Sequence, residues 1–302
     1  MTKLTQQIPH YQAELVLDAR ATLGECVRWD EREKLIYWVD IPGRQLHRYD
    51  PETGRDDAMP LAQEMGCFAL AERGGFICGM RSGYARLDRF DGAFTHLASP
   101  DYDRAKARFN DGRCDSAGRF WAGTMWEPRD RAGGFVYRLD ADGRFSAQCN
   151  PVIIANGITF APDGSGMTLA DTTNHVLWAF DYDTAAGIAA NRRVLRSYEP
   201  ASGRPDGACV DAEGNVYVAI MAGGRVEKVS PAGELLAVIE LPIPNITCCT
   251  FAGDDLRTLY ITTARTRMTD AELAAHPYAG GLFAWRLPDD DAPGIIEPRY
   301  AG

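Results

Sequence analysis

The feature that most constrains this 302-residue chain is a turn-then-strand phrase that returns six times. Its clearest copies are Asp115-Ser116-Ala117-Gly118 before Arg119-Phe120-Trp121-Ala122, Ala161-Pro162-Asp163-Gly164 before Met167-Thr168-Leu169-Ala170, and Asp211-Ala212-Glu213-Gly214 before Asn215-Val216-Tyr217-Val218-Ala219. Weaker copies begin at Asp30, Ala71 and Ala252, so successive starts lie 41, 44, 46, 50 and 41 residues apart. A period of that size is propeller-like, because four short strands and their turns fill it. The phrase is followed by a second strand and turn, as in Gly134–Leu139 then Asp140-Ala141-Asp142-Gly143. The chain is therefore expected to be all-β, a six-bladed β-propeller forming a single domain over residues 1–302. A two-domain β-sandwich would also show short strands at regular spacing, but it leaves the repeated phrase unexplained.

The ring has to close, since an open blade exposes an unpaired strand edge. Residues 13–18, Ala-Glu-Leu-Val-Leu-Asp, precede the first repeat and are expected to complete the last blade beside Gly281–Arg286. One helical turn stands outside this plan, running from a Thr269 cap to His276 and stopped by Pro277.

Composition narrows the partners. A 45% hydrophobic chain of this length can bury a large core. Its 32 basic and 42 acidic side chains give a formal charge of −10 with no long block of one sign, which argues against nucleic acid. The opening MTKLTQQIPHYQ lacks the apolar core of a signal peptide, and no apolar run approaches the roughly 20 residues of a membrane span. A soluble, cytoplasmic protein without a membrane partner is expected, and nothing in the sequence sets its oligomeric state. The eight cysteines show no CxxC spacing and several lie in strand-like runs, so they are expected to be reduced, buried thiols. On a strand, Cys248 and Cys249 would point to opposite faces.

In a propeller the first strand of each blade lines the central channel, so equivalent positions near its start face one another at the mouth. The residue five places before each repeat start is Glu25, Gly66, Asn110, Asn156, Asp206 and Thr247. Four of these six bring a carboxylate or carboxamide oxygen to one axis, where they would repel or go unsatisfied without a cation. One divalent ion is therefore expected. Hard oxygen donors suit calcium, magnesium or manganese, while zinc or iron(II) also accept carboxylates. His10, His47, His96, His175 and His276 all miss these positions. Taken singly, Asn156-Gly157 and Asp206-Gly207 read as turn residues; the shared offset, and Glu25 above all, favours a site.

At these residues the chain resembles the family of regucalcin, gluconolactonase and related sugar lactonases, also called the senescence marker protein family. The matching phrases are Leu23-Gly24-Glu25, Arg108-Phe109-Asn110-Asp111-Gly112, Gly118-Arg119-Phe120-Trp121-Ala122-Gly123-Thr124-Met125, Asn156-Gly157 and Pro205-Asp206-Gly207. The resemblance runs from about Ala21 to Leu287. It implies a six-bladed propeller holding one divalent ion on Glu25, Asn156 and Asp206, with Arg108 and Asn110 on the substrate. Glu127 falls after Gly-Thr-Met, where relatives also carry acidic residues, and is the third substrate-binding candidate, although Trp126 and Pro128 leave its alignment open. Cys26-Val27 stands where the family commonly has Gly-Pro; without the proline the loop is expected to place Glu25 slightly differently, and Cys26, a soft thiolate among hard oxygens, is not expected to be a ligand.

The activity so implied is hydrolysis of a sugar (aldono-)lactone within carbohydrate metabolism. The ion would polarise the carbonyl, and water would attack it. Asp206 is the candidate general base, and water acidified by the ion is the rival. A non-catalytic metal- or ligand-binding propeller and a promiscuous ester or phosphotriester hydrolase are the competing functions. The polar pair Arg108 and Asn110 suits a hydroxylated ring better than an apolar ester.

Overall fold

The computed structural model describes residues 8–149 and 151–302. Six sheets, five of them wholly antiparallel, surround one axis as the blades of a β-propeller. Their innermost strands are Gly24–Asp30, Met65–Leu70, Ala107–Cys114, Ala155–Phe160, Arg204–Val210 and Ile246–Ala252, one per blade in chain order. The next strands step outward by hairpins, so blades 1 to 4 are complete four-stranded units.

Each repeated phrase is the hairpin between the first and second strands of a blade. Asp211 explains its chemistry: its Oδ1 accepts from the backbone N–H of Glu213 and Asn215 at 3.0 and 2.9 Å, closing an Asx turn. Gly214 takes φ 82°, the left-handed step that brings the chain back. Asp115 does the same for Ala117 and Arg119 in blade 3.

Closure is made at the amino end. Glu14–Leu17 pairs antiparallel with Leu282–Arg286, placing Leu15 opposite Phe283, and supplies the outer strand of blade 6. The preceding His10–Gln12 was not anticipated as a strand. It pairs in parallel with Leu235–Glu240, giving blade 5 a fifth strand. The helix Asp270–Ala275 lies between the last two strands of blade 6, and Thr269 closes a capping box with Glu272.

The core consists of apolar layers between neighbouring blades, so an inner strand has no solvent face. Every residue of Ile246–Ala252 is buried; Cys248 packs towards Trp38 and Tyr260, and Cys249 towards Tyr217 and Phe283. Both thiols thus face cores. All eight cysteines are free, and only Cys149 is partly exposed. Among the described residues, no helix is long and apolar enough to cross a membrane.

The carboxyl-terminal tail was also not anticipated. It crosses the far end of the channel, bridging Gly294 to Asp211 and Tyr300 to Ala71. Glu297 reaches the axis and neutralises two buried arginines, Arg28 (Nε to Oε2, 3.2 Å) and Arg113.

Candidate functional site

All six inner strands slip register in the same place. The irregularities fall between Glu25 and Arg28, Met65 and Cys67, Phe109 and Asp111, Asn156 and Thr159, Pro205 and Ala208, and Ile246 and Cys248. A β-bulge breaks the alternation of side chains and re-aims one of them. Here it does so at the height of the mouth in every blade.

Glu25, Asn110, Asn156 and Asp206 accordingly line one pocket together with Arg108. Blade 2 contributes nothing: a side chain at Gly66 would run into the Phe109 carbonyl and come within 2.9 Å of the Asn110 nitrogen. In blade 6 the Thr247 hydroxyl donates to the Gly24 carbonyl (2.5 Å) and lies 3.0 Å from Thr262 Oγ1, so it is committed to joining blades.

A polar relay runs across the mouth through three blades. Arg108 Nη1 donates to Asn110 Oδ1 at 2.9 Å, Asn110 Nδ2 to Asn156 Oδ1 at 2.8 Å, and Asn156 Nδ2 to Thr172 Oγ1 at 2.8 Å. Thr172 Oγ1 then donates to the Pro205 carbonyl, also at 2.8 Å, beside Asp206. The amide of Asn156 is thereby oriented, and its oxygen keeps a lone pair beyond the one Asn110 uses.

Glu127 lies beside the pocket. Both its oxygens accept from Arg81, at 2.7 and 3.0 Å, and Oε1 lies 3.7 Å from Arg108 Nε. Those contacts with Arg81 hold its carboxyl below its ordinary range. It is an acidic brace behind Arg108. Cys26 turns between blades 1 and 2, donating to the Phe68 carbonyl and accepting from the Phe68 N–H. Burial raises its thiol to about 12.

The two carboxylates are an electrostatic anomaly. Glu25 and Asp206 are only 7% and 5% exposed. Burial, then Asp206 and Asp111, push Glu25 well up; burial, then Asp111, push Asp206 up to about 8. Asp206 Oδ1 has no hydrogen-bond partner, a costly state for a buried carboxylate oxygen. Two desolvated carboxyls, one with a free oxygen, beside an oriented amide oxygen make a donor set that fits one hard divalent cation. Among the described residues no group of three or more His, Cys, Asp and Glu could hold a metal; the set relies on Asn156.

Residues outside the repeat offset complete the rim. Arg129, Arg204 and Arg267 line the same pocket from blades 3, 5 and 6. The offset could not reveal Arg129 and Arg267, which lie in connecting loops; Arg204, two residues before Asp206, was within reach of a search along the same strand.

Comparison with known proteins identifies the family and the fold. Residues 23–265 match the family described as SMP-30/Gluconolactonase/LRE-like region. A 6-deoxy-6-sulfogluconolactonase of Pseudomonas putida is 44% identical over 283 residues, 93% of this chain and 96% of that protein. Human regucalcin is 33% identical over 295 residues, 96% and 98% of the respective chains. The crystal structure of a calcium-binding protein, regucalcin, from Agrobacterium tumefaciens superposes with a TM-score of 0.92 at 26% identity, covering 98% of this chain and all of that one. With nearly its whole repeat array matched in sequence and its ring matched in space, the chain belongs to the SMP-30/gluconolactonase/LRE-like family.

Proposed function

We propose that this protein hydrolyses a sugar (aldono-)lactone to the aldonic acid, using one divalent ion held by Glu25, Asn156 and Asp206. The observation that carries the reading is the unpartnered Asp206 Oδ1 in a buried mouth that also holds Glu25. The names of lactonase relatives, including that of the 44% identical protein, support the substrate class.

When bound, the ion supplies Lewis-acid polarisation of the lactone carbonyl. Asp206 takes a proton from the attacking water as its oxygen bonds to the carbonyl carbon, and returns it to the ring oxygen when the carbon–oxygen bond of the ring breaks. Arg108, fixed by Asn110 and braced by Glu127, orients the ring through its hydroxyls, and the oriented Asn110 amide shares that role.

The test is hydrolysis of a panel of aldonolactones, followed by proton release, with chelator-stripped protein resupplied with single ions. Spontaneous opening is subtracted. Turnover restored by one or more ions is expected. Tight ion binding without turnover of any lactone would replace this reading with a binding propeller.

A further inference from the structure

The charge of this chain is distributed against its total. Its formal charge is −10, yet the ionisable groups lining the mouth are four arginines, 108, 129, 204 and 267, against Glu25 and Asp206. A bound divalent ion would tip that balance further towards positive charge.

Arg108 has an assigned neighbour in Glu127. The other three differ: among the described residues, no carboxylate lies within ion-pair distance of Arg129, Arg204 or Arg267, and no acceptor takes a hydrogen bond from their guanidinium groups. Other arginines of the same chain show how such groups are usually neutralised, Arg81 by Glu64 and Glu127, Arg196 and Arg225 by Glu227. Arg129 is held less firmly in its charged form because of burial and then the nearby charges of Arg267, Arg204 and Arg108. Like charges have been gathered at this rim, and the nearby Asp206 opposes them less than they repel one another at Arg129.

The backbone argues in the same direction. Arg129 and Arg267 adopt φ of 59° and 62°, the left-handed region that costs a long side chain roughly 1 kcal/mol and that glycine or asparagine would take more readily. Two loops from different blades thus carry an arginine where the local conformation disfavours one. Self-repulsion and backbone strain are both offset if an anion binds among the three guanidiniums.

We propose that Arg129, Arg204 and Arg267 form a subsite for a tetrahedral oxyanion, a sulfonate or phosphate, carried by the lactone on the side of the ring away from its carbonyl. The proposal rests on the lactonase reading above for the rest of the substrate. Three guanidiniums contributed by three blades offer separate donors to three oxygens, which a planar carboxylate with two oxygens matches less well. The exocyclic carbon 6 of a gluconolactone is the natural carrier, being outside the ring and remote from carbon 1.

The experiment compares kcat/KM for gluconolactones with sulfonate, phosphate or a neutral hydroxyl at carbon 6, and for the lactone with a carboxylate there. The enzymes are the ion-loaded protein, Arg129→Gln and Arg267→Gln. Loss of one charge-assisted contact should lower kcat/KM for a sulfonate or phosphate lactone 10- to 100-fold, at least ten times the fall for the neutral lactone. Added salt should shrink the advantage of the anionic substrates. A better rate with sulfonate or with phosphate identifies which of the two is carried. Equal rates for neutral and anionic lactones, a preference for the carboxylate, or equal losses on all substrates would overturn the subsite. Calorimetry with glucose 6-phosphate and 6-deoxy-6-sulfoglucose against glucose separates the two readings. Arginine-dependent binding of the charged sugars without any lactone turnover would retain the subsite and reject the lactonase. Turnover of neutral lactones with no preferential binding of charged sugars would do the reverse.

Discussion

Loading the site with its ion should expel a proton. In the metal-free protein Asp206 is held near pKa 8 by burial and by Asp111, against the relieving charges of Arg204 and Arg129, while Glu25 is raised beside it. At pH 7 a group of that pKa is roughly nine-tenths protonated, and a cation binds its charged form, so Asp206 alone should release about one proton per ion bound, any proton carried by Glu25 adding to it. Through Asp206 the affinity should weaken at least about tenfold for each pH unit below that value, or about 100-fold from pH 7.5 to 5.5. The same shift acts on the fold. Because the folded pKa lies above the ordinary 3.8, the stabilisation is complete below the unfolded value and is lost as pH rises towards 8. The metal-free protein should therefore become less stable across that window, by up to about 1.4 kcal/mol per pH unit from this group. Titration of calcium or manganese into chelator-stripped protein, in two buffers of different ionisation enthalpy, reads the proton directly. Denaturant unfolding of the metal-free protein and of Asp206→Asn reads the slope, which the variant should flatten. Buffer-independent heats, together with an affinity unchanged between pH 5.5 and 7.5, would refute the claim that the ion replaces a proton at this carboxyl.

Replacing Glu297 by Gln should destabilise the protein by about 3–5 kcal/mol, because Arg28 and Arg113 would lose the counter-charge they share in the channel; a denaturation midpoint within error of the parent would contradict this. Gly66→Ala should cost a few kcal/mol and depress activity with it, since the new methyl group collides with the Phe109 carbonyl on the strand that carries Asn110. Thermal melting checks the first effect and lactone turnover the second. Arg108→Gln should lower kcat/KM for any accepted lactone about 10- to 100-fold through loss of a charged, pre-oriented donor; steady-state kinetics with an unchanged value would remove Arg108 from substrate binding.

The blade count was legible because each blade needs the same hairpin chemistry. In blades 3 and 5 the Asp at the start of the phrase caps an Asx turn and the glycine takes its left-handed step, so a local physical requirement left its mark on the clearest copies that reveal the period. The grouping of Glu25, Asn156 and Asp206 was legible for a related reason: in a closed ring, equal offsets lie at equal heights on one axis. That logic stops where the repeat stops. The bulges that aim those side chains inward are set by the pairing of neighbouring strands, and Gly66 is small because of how closely the next blade passes. The parallel strand His10–Gln12 and the Glu297 plug come from the chain ends, which carry no copy of the phrase. Arg129 and Arg267 meet Arg204 only because loops of unrelated sequence from separate blades end at the same mouth. Repetition wrote the frame into the sequence; convergence of non-repeating segments, a property of the folded ring alone, furnished its charged rim.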